Sequence, residues 1–104
     1  MKEKIIVVLP AYNASSTLEM TINEIPNDLI DEIILIDDGS KDDTVEIARR
    51  LKLTVFIHPE NLGYGANQKS CYNLALQKEA DYVVMLHPDY QYDGRLVPVA
   101  IEIL

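Results

Sequence analysis

Four short apolar runs without polar alternation constrain the fold of this chain more than any other feature. They cover residues 4–10, 32–37, 53–57 and 82–86, and Ile, Val and Leu dominate them. Runs of this length and composition are typical of strands that are buried on both faces, as in a parallel sheet covered by helices. The sequence therefore predicts a mostly parallel sheet between two helical layers.

Helical patterns separate these runs. The first begins at a capping-box sequence, STLE at 16–19, and ends before Pro26; the second begins at a similar sequence, SKDD at 40–43; the third covers residues 65–79. Strands that alternate with helices over short connections indicate a single three-layer α/β domain with a Rossmann-like sheet. Apolar spacing over 96–103 predicts a final helix without a C-cap glycine, so we expect a truncated chain that was cut in or just after that helix.

The charge balance restricts the partners of the chain. Seventeen acidic against nine basic residues give a net charge of −8, which argues against direct binding to nucleic acid or to anionic membranes. An acidic chain can still bind a phosphorylated ligand when a divalent cation stands between carboxylate and phosphate. Cys71 is the only cysteine, so we expect a buried, inert thiol and no disulfide.

Targeting signals are not visible in the sequence. The apolar stretch at 5–9 is too short for a signal peptide, and no run is long enough to span a membrane. A cytoplasmic location and no direct membrane insertion are therefore expected.

Polar segments follow all the predicted strands. They are AYNASS at 11–16, DDGS at 37–40, HPENLGYGANQK at 58–69 and HPDYQYD at 87–93. Right-handed crossovers bring the carboxyl ends of parallel strands to one edge of the sheet, where open α/β folds bind ligands. We expect a ligand site at this edge.

The acidic residues of these segments differ in position. Asp37 and Asp38 end a buried strand and are candidate ligand-binding residues, whereas Asp42 and Asp43 fall in a first helical turn and complement the helix dipole. Asp89 lies three residues beyond the fourth strand and is a candidate ligand for Mg²⁺ or Mn²⁺.

The other polar residues of these segments are assigned mostly to structural roles or to one of two alternatives. Asp93 is expected to be the N-cap of the final helix. His87 either ligates metal or fills space, and His58 is expected to be a turn residue. Tyr12 either stacks on a planar ligand or packs within the protein.

Gly63 and Gly65 do not form a dinucleotide-binding fingerprint. G-x-G-x-x-G would require glycine at position 68, where Gln68 stands, and it belongs after the first strand rather than the third. The glycines fit a tight turn at a helix N-terminus, a place that favours anions. No P-loop sequence occurs.

Taken together, VVLPAYNASSTL, ILIDDGSKDDT, NLGYGANQKS and DYVVMLHPDYQYD resemble the N-terminal half of family-2 glycosyltransferases, which have the GT-A fold. The resemblance is strongest to the branch of dolichol-phosphate mannose and glucose synthases and related polyprenyl-phosphate glycosyltransferases. It implies strand order 3-2-1-4, a UDP- or GDP-sugar donor, a Mg²⁺ or Mn²⁺ ion, and inverting transfer to an acceptor, with polyprenyl phosphate as one candidate.

The resemblance also assigns roles to residues. Asp89 takes the final acidic position of the family's D-x-D motif and becomes the metal ligand, while His87 replaces the first acid and is a further candidate ligand. Asp38, with Asp37 close by, is expected to contact the base or ribose. The residues expected to bind the nucleotide are Pro10, Ala11, Tyr12, Asn13, Asp37, Asp38, Gly63, Gly65 and Pro88.

Three further expectations follow from this resemblance. An inverting reaction needs a base, which is expected beyond Leu104, so residues 1–104 should bind donor without turnover. The full-length protein is expected to be cytoplasmic, with the cytoplasmic face of a membrane as a candidate site. The fourth strand would be an open edge beside the final helix, which predicts a homodimer through either element.

Alternative functions have weaker support. A nucleotidyltransferase shares the architecture but usually carries a basic, glycine-rich first loop, and AYNASS has no Lys, Arg or Gly. A phosphoacceptor receiver domain would carry its acidic pair after the first strand rather than the second. A non-catalytic module that binds nucleotide sugars remains a third alternative.

Overall fold

The computed structural model describes residues 3–88 and 99–103, which form one five-stranded sheet in the order β3-β2-β1-β4-β5. The elements are β1 (Ile5–Ala11), α1 (Leu18–Asn23), a short 3₁₀ helix (Asn27–Leu29), β2 (Glu32–Asp37), α2 (Thr44–Arg50), β3 (Thr54–Ile57), α3 (Tyr64–Gln77), β4 (Tyr82–Leu86) and β5 (Val99–Ile103). The strands β1 to β4 pair in parallel, which confirms the predicted order 3-2-1-4.

The register of the central strands brings their carboxyl ends level. Ala11 of β1 pairs with Asp37 of β2, and Asp37 pairs with Ile57 of β3. The backbone N–H of Asp38 donates to the Ala11 carbonyl oxygen (2.9 Å), and that of His58 donates to the Asp37 carbonyl oxygen (2.8 Å). The segments that follow these three strands therefore start side by side.

Two apolar layers cover the sheet, because successive strand side chains point to opposite faces. Ile6 and Val8 of β1 pack with α3, whereas Val7 and Leu9 pack on the other face with α1 and α2. Cys71 lies in the first layer and is fully buried, and burial raises the pKa of its thiol to about 12. The prediction of a buried, inert thiol is confirmed. Among the described residues, no helix has the length and apolar character needed to cross a membrane.

The predicted capping boxes do not form. Thr17 is the N-cap of α1 but makes no side-chain cap bond, because its hydroxyl donates instead to the carbonyl oxygen of Pro88, with the Ala14 carbonyl oxygen farther away at 3.4 Å. Asp43 is the N-cap of α2, also without a side-chain cap bond, and the Ser40 hydroxyl accepts from the backbone of the first loop. Contacts between segments therefore hold the start of both helices, and at α2 Asp42 Oδ1 also accepts from the N–H of Thr44 (3.0 Å).

The predicted final helix is wrong. Residues 99–103 form β5, which pairs antiparallel with β4, with Ile101 opposite Val84 and Ile103 opposite Tyr82. VAIEI also alternates β-branched with other residues, which favours a strand, and pairing satisfies backbone groups that β4 would otherwise expose. Because β4 is covered, the homodimer expected through an open β4 or a final helix has lost its basis. The predicted N-cap Asp93 lies outside the described residues.

Candidate functional site

A pocket of about 350 Å³ lies at the carboxyl edge of the sheet. This volume is within the usual range for small-molecule sites. Five of the predicted nucleotide-binding residues line it, together with four residues that were not singled out for nucleotide binding. The lining residues are Pro10, Ala11, Tyr12, Asp38, Asn61, Gly63, Tyr64, Asn67 and His87.

The Asp38 side chain accepts three hydrogen bonds at the pocket. Its Oδ1 accepts from His58 Nδ1 and from the backbone N–H of Leu62, and its Oδ2 accepts from the N–H of Gly63, each over 2.8 Å. Burial by itself would raise the pKa of Asp38, but these hydrogen bonds outweigh it and lower the pKa below its ordinary value. Asp38 is therefore an ionised carboxylate that accepts hydrogen bonds only.

Asp37 lies behind the pocket rather than in its lining. Its Oδ2 accepts from the backbone N–H groups of Gly39 (3.0 Å) and Ser40 (2.8 Å), which shapes the turn after β2. Gly39 has φ +82°, and a Cβ atom there would meet the backbone nitrogen of Asn61 at 3.2 Å. Asp37 is 1% exposed, and its Oδ1 has no hydrogen-bond partner among the described residues.

Three other predicted binding residues do not line the pocket. Asn13 is held by the second loop, because its backbone N–H donates to Ser40 Oγ (2.7 Å) and its Oδ1 accepts from the N–H of Lys41 (2.8 Å). Gly65 lies in the first turn of α3, and Pro88 is buried beside α1. None of these three residues is part of the pocket lining.

Asp42 ties the first loop to the start of α2. Its Oδ2 accepts from the N–H of Ser15 (3.1 Å), and its Oδ1 accepts from the N–H (3.0 Å) and the hydroxyl of Thr44. Thr44 Oγ1 in turn accepts from the N–H of Ala14 (2.8 Å). Burial favours a higher pKa for Asp42, yet these bonds lower it to about 2. The prediction that Asp42 complements the helix dipole did not include this connection between loops.

Tyr64 and His87 form an aromatic pair on the pocket wall. Their ring centroids are 5.4 Å apart, and the Tyr64 hydroxyl lies 3.2 Å from Nδ1 and 3.1 Å from Nε2 of His87. Gln68 Nε2 donates to the same hydroxyl (2.9 Å). The Tyr64 hydroxyl therefore lies within hydrogen-bond distance of both ring nitrogens of His87.

Sequence reasoning missed Asn61, Tyr64 and Asn67 as pocket residues. All three lie within the NLGYGAN segment, whose two glycines predicted only a tight turn at a helix N-terminus. Asn67 is a buried amide one turn into α3, and its Nδ2 donates to the Ile36 carbonyl oxygen (2.9 Å). A polar residue on the sheet-facing side of an otherwise apolar helix face was the signal that could have identified it.

The metal prediction depends on a residue that lies outside the described part. Within residues 3–88 and 99–103, no group of three or more His, Cys, Asp or Glu residues could hold a metal ion. His87 is on the pocket wall, and Asp89, the predicted ligand, falls two residues later and outside the described residues. The described residues by themselves therefore do not form a complete metal site.

Comparison with known proteins identifies relatives over nearly the whole chain. Residues 6–104 match the family model for glycosyl transferase family 2. UDP-N-acetylglucosamine–dolichyl-phosphate N-acetylglucosaminyltransferase of Methanococcus voltae is 29% identical over 88% of this chain and 44% of its own. The O-antigen chain rhamnosyltransferase RfbN of Salmonella typhimurium is 36% identical over 83% of this chain and 28% of its own.

Solved structures show the same arrangement. Glucosyl-3-phosphoglycerate synthase from Mycobacterium tuberculosis, in complex with Mn²⁺, UDP and glucosyl-3-phosphoglycerate, superposes with a TM-score of 0.68 and 30% identity. The match covers 83% of this chain and 33% of that enzyme. The chain thus spans less than half the length of each of these relatives.

Proposed function

The chain belongs to glycosyl transferase family 2, and on that premise we propose that its pocket binds the nucleoside diphosphate of a nucleotide-sugar donor, so that the whole protein is a glycosyltransferase. The observation that carries the proposal is the convergence of Tyr12, Asp38 and Gly63, which follow three different strands, on one pocket at the carboxyl edge. A pocket in this position of an open α/β sheet is the usual place for a nucleotide.

Asp38 supplies a specific acceptor for the nucleoside. A carboxylate offers roughly four acceptor positions, and the bonds from His58, Leu62 and Gly63 use three of them. The remaining position is on Oδ2, at the pocket. We assign it to an N–H of the base or an O–H of the ribose.

Tyr12 supplies an apolar surface for the base. It is 44% exposed although it lines the pocket, so a large part of its ring is free to meet a ligand. This exposure supports stacking on a planar base over packing within the protein.

A divalent cation is needed because the pocket offers no positive charge to a diphosphate. No Lys or Arg is among its described lining residues, and the sequence as a whole carries a net charge of −8. We assign the ion to Asp89, with a ring nitrogen of His87 as a further donor. Bound there, Mg²⁺ or Mn²⁺ would neutralise the charge that develops on the diphosphate as it leaves.

The transfer itself is proposed to invert the sugar and to use an acceptor hydroxyl or phosphate. We place the general base outside the described residues, since the pocket residues are assigned to the donor. Polyprenyl phosphate is the acceptor that we favour, because the M. voltae relative is named for transfer to dolichyl phosphate. With such an acceptor, the whole protein would work at the cytoplasmic face of a membrane.

Titration calorimetry with UDP and with GDP, in Mn²⁺, in Mg²⁺ and in EDTA, tests the proposal. We expect one nucleotide to bind more tightly than the other, and to do so only when a divalent ion is present. Equal binding in EDTA would contradict the metal assignment. No binding of either nucleotide under any condition would contradict the function.

A further inference from the structure

His58 connects the end of β2 with the middle of α3. Its Nδ1 lies 2.8 Å from Asp38 Oδ1, and its Nε2 lies 2.8 Å from Ser70 Oγ. The side chains of His58 and Asp38 are only 12% and 4% exposed. The imidazole therefore lies between two fixed polar partners and has little contact with water.

The connectivity from Asp38 through His58 to Ser70 is that of a hydrolytic triad, but the surroundings exclude that chemistry. Ser70 lies in the middle of α3 (Tyr64–Gln77), where backbone N–H groups are used within the helix and cannot stabilise an oxyanion. Ser70 also does not line the pocket. Its hydroxyl is better placed to orient the imidazole than to attack a substrate.

The direction of these hydrogen bonds follows from the charge of Asp38. An ionised carboxylate only accepts, so Nδ1 of His58 must carry the proton and donate to Asp38. In the neutral imidazole Nε2 is then an acceptor, and the Ser70 hydroxyl donates to it. Asp38 therefore sets the tautomer, and the Ser70 hydroxyl, which can donate or accept, holds Nε2 in place.

The orientation of the Asp38 carboxylate in turn fixes part of the pocket wall. Its two oxygens hold the backbone N–H groups of Leu62 and Gly63, and Gly63 has φ +98° immediately before α3. Asn61, Gly63 and Tyr64 all line the pocket. If the Asp38 carboxylate rotated, this segment and the free acceptor position on Oδ2 would both move.

We propose that His58 is a positioning residue for the nucleotide pocket: it touches no ligand, but it fixes the Asp38 carboxylate and, through it, the segment 61–64. The proposal rests on the function proposed above. It assigns to His58, which sequence reasoning treated as a turn residue, control of the affinity for the nucleoside diphosphate.

Three substitutions of His58 separate this role from a general loss of stability. His58→Asn keeps an N–H donor near the position of Nδ1, whereas His58→Gln places its amide near Nε2 and His58→Ala has no donor. We expect the dissociation constant for the better-binding nucleotide, UDP or GDP with Mn²⁺, to rise roughly tenfold or more for Ala and Gln, the size of effect that follows from losing a hydrogen bond to a charged group. Asn should stay within about threefold of the wild type.

Two further variants refine the comparison. Ser70→Ala should weaken binding by a smaller factor, because the imidazole keeps its bond to Asp38 and loses only the partner of Nε2. Lys69→Ala is the matched control on α3, since Lys69 is exposed, and should leave the affinity unchanged. Affinities are compared at a temperature where circular dichroism shows every variant folded, so that stability differences do not enter.

Amide proton resonances of the protein without nucleotide test the role of His58 independently of the proposed function. The amide proton resonances of Leu62 and Gly63 report their bonds to Asp38, and they should shift in His58→Ala and His58→Gln but not in His58→Asn. If the wild type binds no nucleotide, the proposed function fails, and these resonances still decide whether His58 positions Asp38. Unchanged resonances in His58→Ala, or equal affinities for all three His58 variants, would overturn the inference.

Discussion

The side-chain amide of Asn67 donates a hydrogen bond of 2.9 Å to the carbonyl oxygen of Ile36, inside the buried contact between α3 and β2. Asn67 is 2% exposed and also borders the pocket. One amide therefore holds a helix against the sheet and shapes the site. Replacing the Asn67 side chain should therefore lower the stability of the fold.

Asn67→Ala is expected to lower the free energy of unfolding by about 1–3 kcal/mol, because a buried carbonyl oxygen loses a partner and a small cavity forms. Urea denaturation at neutral pH measures the change. Asn73→Ala is the control on the exposed side of the same helix and should change stability by no more than about 0.5 kcal/mol. Equal effects of the two substitutions would show that the Asn67 bond does not stabilise the fold.

Asp42 should make stability depend on acid pH. Its pKa is lowered from 3.8 to about 2 in the folded protein, so its ionised form stabilises the fold. This contribution is fully present above pH 3.8, decreases as the pH falls and is lost below about pH 2. Because Asp42 is exposed, solvent screening limits its size to at most about 1 kcal/mol.

Urea denaturation of Asp42→Asn and of the wild type between pH 6 and pH 2 measures this contribution. The stability difference between the two proteins should be largest near pH 6 and vanish near pH 2. Asp43→Asn removes the same charge one residue later and should give a smaller difference near pH 6. A difference for Asp42→Asn that is constant with pH would exclude ionisation as its cause.

Tyr12→Ala should weaken nucleotide binding without much effect on folding, since Tyr12 is 44% exposed. Loss of base stacking costs about 1–3 kcal/mol, so the dissociation constant should rise roughly 5- to 150-fold. Tyr12→Phe keeps the ring and should bind nearly as well as the wild type. Calorimetry with the better-binding nucleotide decides between stacking and a hydroxyl contact, because the latter predicts that Phe behaves like Ala.

Asp89→Asn should remove the part of nucleotide affinity that depends on a divalent ion. The comparison is made with and without Mn²⁺, and the variant should bind equally in both. Asp93→Asn removes a charge from the same segment and should keep the metal dependence of the wild type. Retained metal dependence in Asp89→Asn would move the metal site to other residues.

The prediction of a final helix was wrong because its sequence pattern is compatible with both a helix and a strand. The segment 99–103 satisfies both helical spacing and two-residue alternation, and the free edge of β4 selected the strand. The capping box at 16–19 failed for a related reason, because the hydroxyl of Thr17 bonds with the carbonyl oxygen of Pro88, which belongs to a distant segment. A distant partner outweighed the local preference in both cases.

Sequence alone determined the parallel sheet and the edge that carries the pocket, because these properties follow from apolar runs and from the handedness of the connections, which are local or generic. The order of the central strands was implied by the resemblance to family-2 glycosyltransferases, and the structure confirms it. Tertiary structure alone decided what each polar residue does. Asp38 faces the pocket, Asp37 shapes the turn behind it and His58 positions Asp38, because their hydrogen-bond partners belong to loops that only the folded sheet brings together.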